Sequence, residues 1–223
     1  MDEQTDSSSE SFTNGKIGDD DFHVLPLIPE HVKDLLKSGL SAATARELKI
    51  RSIVGPEIAS HLSFHDRRIT SLLCLPYPTH PGFCRDKIFP PDLKGKDGHG
   101  MRYLQRKDSG CRLYIPPLAQ QVLSDSTTPL YFTEGEKKAA KACQEGYACI
   151  GLGGLWNFGK DGKLLTEFDT IALTGRHVTL IPDSEVWVSR PDLLVPVSRL
   201  GRLLQQRGAK VDALILPSQE DRQ

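Results

Sequence analysis

Acidic residues and glycines follow three apolar segments in the second half of the sequence. Glu134 and Gly135 follow the first segment, the glycines of GLGG at 151–154 follow the second, and Asp183 and Glu185 follow the third. Mg²⁺ prefers carboxylate and water oxygens, so an acid after one strand and an acid-x-acid pair after another can share one divalent cation. Glycines allow the backbone to approach a phosphate closely. We therefore predict a site for Mg²⁺ or Mn²⁺ at Glu134, Asp183 and Glu185, with a phosphate beside it.

Other residues near these motifs have the chemistry to contact a nucleotide or a nucleic acid. They are Lys137, Lys138, Gly153, Gly154 and Asn157. A simpler interpretation is available for most of them, because paired lysines suit a solvated helix face and GLGG lacks both the GxGxxG spacing and the lysine of a P-loop. Glu134 suits the first turn of a helix, where an acid interacts favourably with the dipole, and Asp183 and Glu185 can cap a turn. Taken singly, these residues leave both interpretations open.

The elements that must position these residues follow from the alternation of strand-like and helix-like segments between 129 and 217. The segments PLYFTE, YACIGLGG, HVTLIPDSE and KVDALILP are strand-like, whereas GEKKAAKACQEG and residues 193–207 are helix-like and end near glycines. This rhythm predicts an α/β fold with a parallel sheet of about four strands flanked by helices. Ligands of such sheets bind outside the carboxyl ends of the strands, where the acidic motifs fall.

The sequence before this sheet predicts a different organisation. Residues 23–128 begin with three short helix-like segments and continue with short apolar or alternating segments, which indicate a helical preface and a small α+β subdomain. The α/β domain is expected at 129–223. Residues 1–22 contain seven acids, one base and little apolar sequence, so we predict a disordered acidic tail with a net charge of −6.

The segment 80–114 combines eight basic residues, four acids and interleaved aromatic residues. Basic and aromatic side chains together suit a single-stranded nucleic acid with stacked bases, although core aromatics beside ordinary surface bases produce the same pattern. In GFCRDKIF, Arg85 and Lys87 share one face of a predicted strand with Phe83 and Phe89. We predict that Arg85 and Lys87 contact single-stranded DNA or a nucleoside triphosphate.

The composition and the cysteine usage argue against several classes of protein. No run of apolar residues approaches the length of about 18 that a membrane span needs, so no membrane partner is expected. The first residues lack the basic and apolar regions of a secretory signal, and we expect a cytoplasmic protein with five reduced cysteines. The spacing of Cys74, His80, Cys84, His99 and Cys111 matches no usual zinc motif, which favours structural thiols and loop histidines.

The ordered set LYFTEGEKKAAKA, IGLGG and LIPDSE resembles a Toprim domain. The preceding MRYLQRKDSGCRLYIPP resembles the segment that leads into Toprim in bacterial replicative primases, and GFCRDKIFPP with GKDGHGMRYL resembles primase-like Toprim proteins of phage and plasmid origin. The resemblance covers roughly residues 30–217. It implies that Glu134 is the catalytic acid and that Asp183 is the first acid of an Asp-x-Asp motif, with Glu185 in place of the second aspartate.

The resemblance also implies a function. We expect a nucleotidyltransferase of the DNA primase type in DNA replication, with single-stranded DNA and nucleoside triphosphates as partners and Mg²⁺ or Mn²⁺ as cofactor. Two other classes remain open, namely a Toprim nuclease that cuts a phosphodiester and a non-catalytic module that binds nucleic acid or nucleotide. The sequence contains no GxxxxGK[ST] motif, so any unwinding would require a helicase partner.

Overall fold

The computed structural model of the protein describes residues 22–91, 93–95 and 100–216. The helices are α1 (Pro29–Lys37), α2 (Ala42–Glu47), α3 (Glu57–Leu62), α4 (Pro117–Gln121), α5 (Glu136–Gln144), α6 (Glu185–Val188) and α7 (Leu194–Gln206), with 3-10 helices at Thr166–Thr170 and Pro191–Leu193. The strands are β1 (Arg51–Val54), β2 (Ser71–Pro76), β3 (Cys84–Phe89), β4 (Leu93–Lys94), β5 (Gly100–Met101), β6 (Tyr103–Leu104), β7 (Leu113–Tyr114), β8 (Leu130–Glu134), β9 (Cys149–Leu152), β10 (Gly159–Lys160), β11 (Lys163–Leu164), β12 (His177–Ile181) and β13 (Lys210–Ala213).

The second half of the chain forms a five-stranded sheet in the order β13–β12–β8–β9–β7. The strands β13, β12, β8 and β9 are parallel to one another, and β7 pairs with the outer edge of β9 in the antiparallel direction. Helix α7 buries Val197, Leu200 and Leu204 in the core that these strands share, at the spacing expected of one helix face. The predicted α/β fold, with four parallel strands flanked by helices, is confirmed.

The first half of the chain forms a four-stranded antiparallel sheet in the order β1–β2–β3–β6. The alternation predicted for GFCRDKIF is confirmed, because Phe83 and Phe89 pack in one apolar cluster while Cys84 and Ile88 pack in another. Strand β1 was not predicted, since its four residues lie between two helices and are too few to show a period. The predicted α+β part before the parallel sheet is confirmed as well.

Helix α5 joins the two halves of the chain. The side-chain oxygen of Gln144 accepts hydrogen bonds from the backbone N–H of Ser41 and from Thr44 Oγ1, each at 2.8 Å, where α2 begins. Ser41 is the predicted N-cap of α2, and its hydroxyl accepts the backbone N–H of Thr44 at 3.1 Å. Strand β7 also crosses between the halves, since it precedes the predicted boundary at residue 129 and yet belongs to the second sheet.

Some sequence predictions fall outside the described residues. The acidic tail does so except for Phe22, whose side chain is 2% exposed and packs with the apolar cluster of α1 and α2. Lys96 and His99 of the basic segment are likewise not described. Among the described helices, none combines the length and the apolar character that crossing a bilayer requires.

Candidate functional site

A cavity of about 830 Å³ opens at the carboxyl ends of β8 and β12. Glu134 is the last residue of β8, Asp183 lies two residues after β12, and both line the cavity. The two strand ends are joined by Thr133, whose Oγ1 donates a hydrogen bond to the carbonyl of Ile181 at 3.1 Å. Parallel strands end at the same edge of a sheet, so the pairing of β8 with β12 brings these two acids to one cavity.

Gly135 makes the turn from β8 into α5. Its φ of 91° lies in the left-handed region that favours glycine, and its N–H donates a hydrogen bond to the carbonyl of Leu152 at 2.7 Å. This bond fixes the turn against the end of β9. Glu134 therefore stays on the strand, while Glu136 begins the helix and points its carboxylate toward the first half of the chain.

The carboxyl group of Glu134 lies in an environment that disfavours its charge. Burial raises its pKa above the usual value, and the negative charge of Asp183 adds to this effect, as does that of Glu185 to a smaller degree. The positive charges of Lys138 and Arg85 act in the opposite direction. Carboxylates that repel one another in a partly buried cavity favour a cation between them.

A lysine neutralises the second acid of this group. The ammonium of Lys138 forms an ion pair with Asp183 Oδ1, and both side chains remain substantially exposed. Glu185 is the exposed first residue of α6 and does not belong to the cavity lining. Within the described residues, these three acids do not place one oxygen each within 4.8 Å of one another. The donors are hard oxygen atoms and fit Mg²⁺ or Mn²⁺ once Lys138 releases Asp183.

Arg85 from β3 enters the cavity wall from the first half of the chain. Its Nη1 donates to Glu136 Oε1 at 2.8 Å, and the hydroxyl of Tyr77 donates to the same oxygen at 2.6 Å. Burial and the charge of Glu136 raise the pKa of Tyr77 far above its usual value, so Tyr77 stays a neutral donor. The guanidinium also lies 5.2 Å from the centroid of the Tyr103 ring. The predicted ligand contact Arg85 thus has a buried carboxylate partner in this structure.

Lys87 and Lys137 share one partner, Asp34 of α1. Both ammonium groups form ion pairs with this carboxylate, and the lysine side chains are only 17% and 14% exposed. Burial pushes the pKa of Asp34 upward, but hydrogen bonds from Lys137 and Lys87 outweigh it and hold the pKa below its usual value. The three residues tie α1, β3 and α5 together. Lys137 lines the cavity, whereas Lys87 lies outside its lining. The sequence displays the charge of each lysine but not the carboxylate that it meets.

The remaining predicted contacts fall on the loop after β9. Gly153 lines the cavity beside Arg85, since a Cβ added to it would lie 2.7 Å from Arg85 Nη1. Gly154 and Asn157 are not part of the lining. The N–H of Asn157 donates to the carbonyl of Gly154 at 2.9 Å, which closes the turn. Of the GLGG glycines, the structure therefore places only Gly153 next to the cavity.

Arg102 is a cavity residue that the sequence analysis did not single out. It is exposed, it lines the cavity beside Tyr103, and within the described part of the chain no carboxylate forms an ion pair with it. The available signal was a basic residue next to an aromatic one in MRYLQR, inside the basic segment. Arg102 is accordingly the cavity cation best placed to meet an anionic ligand.

Residues 119–222 match the family described as Domain of unknown function (DUF3854). The match runs from near the start of α4 through β13 and includes Glu134, Asp183 and Glu185. It covers slightly less than half of the chain, and the description names no activity. No curated protein matches the chain.

Proposed function

We propose that the protein is a metal-dependent nucleotidyltransferase of the DNA primase type, which joins nucleotides on a single-stranded template in DNA replication. The observation that supports this most is that Glu134 and Asp183, from neighbouring parallel strands, line one cavity together with basic side chains. Phosphoryl transfer depends on positioning and on charge stabilisation, with little covalent chemistry for the protein to perform. Acids for a cation and bases for phosphates are the components that such a reaction needs.

Under this proposal Glu134 and Asp183 hold Mg²⁺ or Mn²⁺, and Glu185 joins them when its side chain turns toward the cavity. The ion, when bound, neutralises triphosphate charge and polarises a phosphoryl oxygen. Lys138 leaves Asp183 at that point, and its ammonium becomes available to the phosphates of the nucleotide. The raised pKa of Glu134 supports this assignment, because it shows a carboxylate whose charge the protein alone leaves incompletely balanced.

Arg102 and Gly153 are the proposed contacts to the nucleotide or the template. Arg102 has an exposed guanidinium at the cavity, which suits bidentate binding of a phosphate. Gly153 has no side chain, and the Arg85 guanidinium lies in the space that a Cβ would fill, so a phosphate beside Gly153 would also meet Arg85. Arg85 acts as a positioning residue, since its guanidinium is held by Glu136 beside Gly153.

A second candidate is a non-catalytic module that binds nucleic acid or nucleotide and serves a replicative helicase. The specific observation in its favour is the Lys138–Asp183 ion pair, which places a positive charge where the metal would bind. In that case Lys138 takes the role of the cation, and the cavity binds phosphate without chemistry. Removing the charge of Glu134 then leaves the function of the protein intact.

The test is primer synthesis by the full chain on single-stranded DNA with labelled nucleotides and Mg²⁺ or Mn²⁺. We expect Glu134→Gln and Asp183→Asn to lower the rate of nucleotide incorporation at least about 100-fold, since a neutral amide is a poor ligand for these ions. Asp212→Asn is the matched control, because Asp212 is an exposed acid on β13 outside the cavity. Binding of single-stranded DNA should persist in all three variants.

Two results would replace the proposal. Metal-dependent loss of the template, abolished by Glu134→Gln, would establish a nuclease. Tight DNA or nucleotide binding without incorporation or cleavage in any divalent cation, and unchanged in Glu134→Gln, would establish the binding module. Arg102→Ala should lower the affinity for single-stranded DNA and make that affinity less sensitive to salt concentration. Arg46→Ala, on the exposed face of α2, should change neither quantity.

A further inference from the structure

Four potential metal ligands of three chemical types meet on one face of the first sheet. They are His61, Cys74, Cys84 and Asp86, and their donor atoms all lie within 4.8 Å of one another. This cluster lies apart from the cavity described above, since none of its members lines that cavity. It also includes Cys74 and Cys84, which belong to the set of cysteines and histidines whose spacing in the sequence matched no usual zinc motif.

The register of the antiparallel sheet brings three of these ligands together. Cys74 of β2 is paired directly with Asp86 of β3, and Cys84 lies two residues before Asp86, so all three side chains point to the same face. Helix α3 contributes His61 from above this face. A long gap between Cys74 and Cys84 in the sequence is compatible with a metal site here, because pairing of strands rather than a short loop brings the ligands together.

The donor atoms lie close to the separations of a tetrahedral site, although not all of them within that range. His61 Nε2 lies 3.0 Å from Asp86 Oδ2 and 3.4 Å from Cys84 Sγ. Ligand atoms of a tetrahedral zinc ion lie about 3.3 to 3.8 Å apart when the metal bonds are about 2.0 to 2.3 Å long. The four residues therefore need only small side-chain adjustments to surround an ion.

One hydrogen on His61 cannot serve all the acceptor atoms that surround its Nε2 atom. The Nε2 atom of His61 carries at most one hydrogen, yet both oxygens of Asp86 and the sulfur of Cys84 lie within 3.4 Å of it. Asp86 is completely buried, and among the described residues His61 is its one ion-pair partner. A buried carboxylate with so few donors is costly unless a cation accompanies it.

We propose that His61, Cys74, Cys84 and Asp86 bind one structural Zn²⁺ ion. Two soft thiolates, one borderline imidazole and one hard carboxylate form a mixed ligand set, and the sulfur and nitrogen donors suit Zn²⁺ and not Mg²⁺. Four protein ligands close the coordination sphere, so the site holds α3 against β2 and β3 and is not catalytic. The apolar side chains of Ile58, Leu62 and Ile88 pack nearby and keep bulk water away.

The test measures metal in the full chain, without reference to any activity. The chain is purified under reducing conditions, incubated with Zn²⁺ and separated from free ion, and its zinc is determined by mass spectrometry. We expect one zinc per chain in the wild type and loss of that zinc in Cys84→Ser. Cys111→Ser is the matched control, because Cys111 is also a partly buried free cysteine but lies outside the cluster, and it should keep the ion.

Two further measurements on the wild type test zinc binding even if Cys84→Ser fails to fold. The wild type loaded with Co²⁺ should show the thiolate charge-transfer and tetrahedral d–d absorption bands. Alkylation of Cys84 should be blocked by Zn²⁺ and restored by a chelator, whereas Cys111 reacts in both conditions. A wild type that binds no Zn²⁺, that gives an octahedral Co²⁺ spectrum, or whose Cys84 reacts equally with and without Zn²⁺ would overturn the proposal.

Discussion

Asp183 has two possible partners, a lysine and a metal ion, and the structure shows it with the lysine. The ammonium of Lys138 pairs with Asp183 and also lowers the pKa of Glu134, against the effects of burial and of the Asp183 charge. The pair is substantially exposed, which limits its strength to at most about 1 kcal/mol. A divalent cation is therefore able to displace Lys138 from Asp183.

Lys138→Met should increase the affinity of the cavity for Mn²⁺ by about two- to fivefold near neutral pH, because a competing positive charge is removed. Titration calorimetry with Mn²⁺ measures this change. Lys37→Met removes the same charge from the exposed end of α1 and should leave the affinity unchanged. A lower Mn²⁺ affinity in Lys138→Met would show that the lysine supports the ion instead of competing with it.

The same variant should also alter the pH dependence of metal binding. Glu134 binds a cation only when deprotonated, so the affinity should fall as the pH drops through its pKa, which lies above the usual value. Loss of the Lys138 charge raises that pKa further. The decline in Mn²⁺ affinity should therefore begin at a higher pH in Lys138→Met than in the wild type, in titrations repeated between neutral and acidic pH.

Strand β3 and helix α5 are joined by a buried ionic contact rather than by apolar packing alone. The side chain of Glu136 is 1% exposed, and its carboxylate accepts hydrogen bonds from both Arg85 and Tyr77. Removing one member of a buried pair leaves an uncompensated charge, whereas replacing both members with apolar residues costs much less. This contact also positions Arg85 beside the loop that follows β9.

Glu136→Ala should lower the free energy of unfolding by about 3 to 5 kcal/mol, because Arg85 keeps its buried charge without a partner. The double variant Arg85→Met with Glu136→Leu should be clearly more stable than Glu136→Ala. Glu145→Ala, at the exposed end of the same helix, should cost much less, because solvent screens its ion pair with Lys141. Urea denaturation followed by circular dichroism gives all the values, and equal losses at Glu136 and Glu145 would contradict the argument.

The first turn of α5 packs directly onto β9. A Cβ on Gly151 would lie 2.9 Å from the carbonyl oxygen of Gly135 and 3.2 Å from the Cβ atoms of Ala139 and Tyr114. These neighbours are backbone and short side chains in the core, so they have little room to move. The carboxyl end of β9 therefore requires glycine for close approach to the turn that carries Glu134.

Gly151→Ala should lower the free energy of unfolding by about 1 to 3 kcal/mol through overpacking, and it should shift the turn at Gly135. Gly100→Ala is the control, because a Cβ at Gly100 meets no atom within 4 Å. Thermal denaturation of both variants measures the difference. A Gly151→Ala variant as stable as Gly100→Ala would show that α5 can move away from β9 at no cost.

Across the whole molecule, one buried histidine makes folding depend on pH. His31 of α1 is completely buried, with Nδ1 2.7 Å from Ser52 Oγ on β1 and Nε2 3.0 Å from Ser71 Oγ on β2. Burial lowers the pKa of His31 to about 4, with a smaller opposing effect from Asp34. In the unfolded chain the imidazole titrates near pH 6.5. The folded state therefore disfavours the protonated form.

The stability that depends on neutral His31 is fully present above about pH 6.5 and is lost as the pH falls from 6.5 toward 4. Between pH 7 and pH 5 we expect a loss of about 2 kcal/mol in the free energy of unfolding from this group. Urea denaturation at the two pH values should show that His31→Gln loses less over the interval than the wild type. His65→Gln, at an exposed histidine, should behave as the wild type does.

Local sequence determined the elements and their order. The alternation of PLYFTE, HVTLIPDSE and the helix-like segments was enough to predict four parallel strands flanked by helices, because hydrophobic period and glycine-ended helices are local properties. The placement of Glu134 and Asp183 at strand ends followed from the same reasoning, since parallel strands end at one edge. Strand β1 and the short pairs β4–β5 and β10–β11 were missed because two to four residues show no period.

Only the tertiary structure decided which charged groups meet. Lys87, Lys137 and Asp34 are distant in sequence, and their pairing gives both lysines a partly buried carboxylate partner, whereas Arg102 has no ion-pair partner among the described residues. The register of β2 against β3 likewise brings Cys74 beside Asp86, which no spacing rule revealed. Apolar periodicity is a local property of the sequence. An ion pair or a set of metal ligands joins residues that are far apart in the sequence, so it depends on how the segments pack.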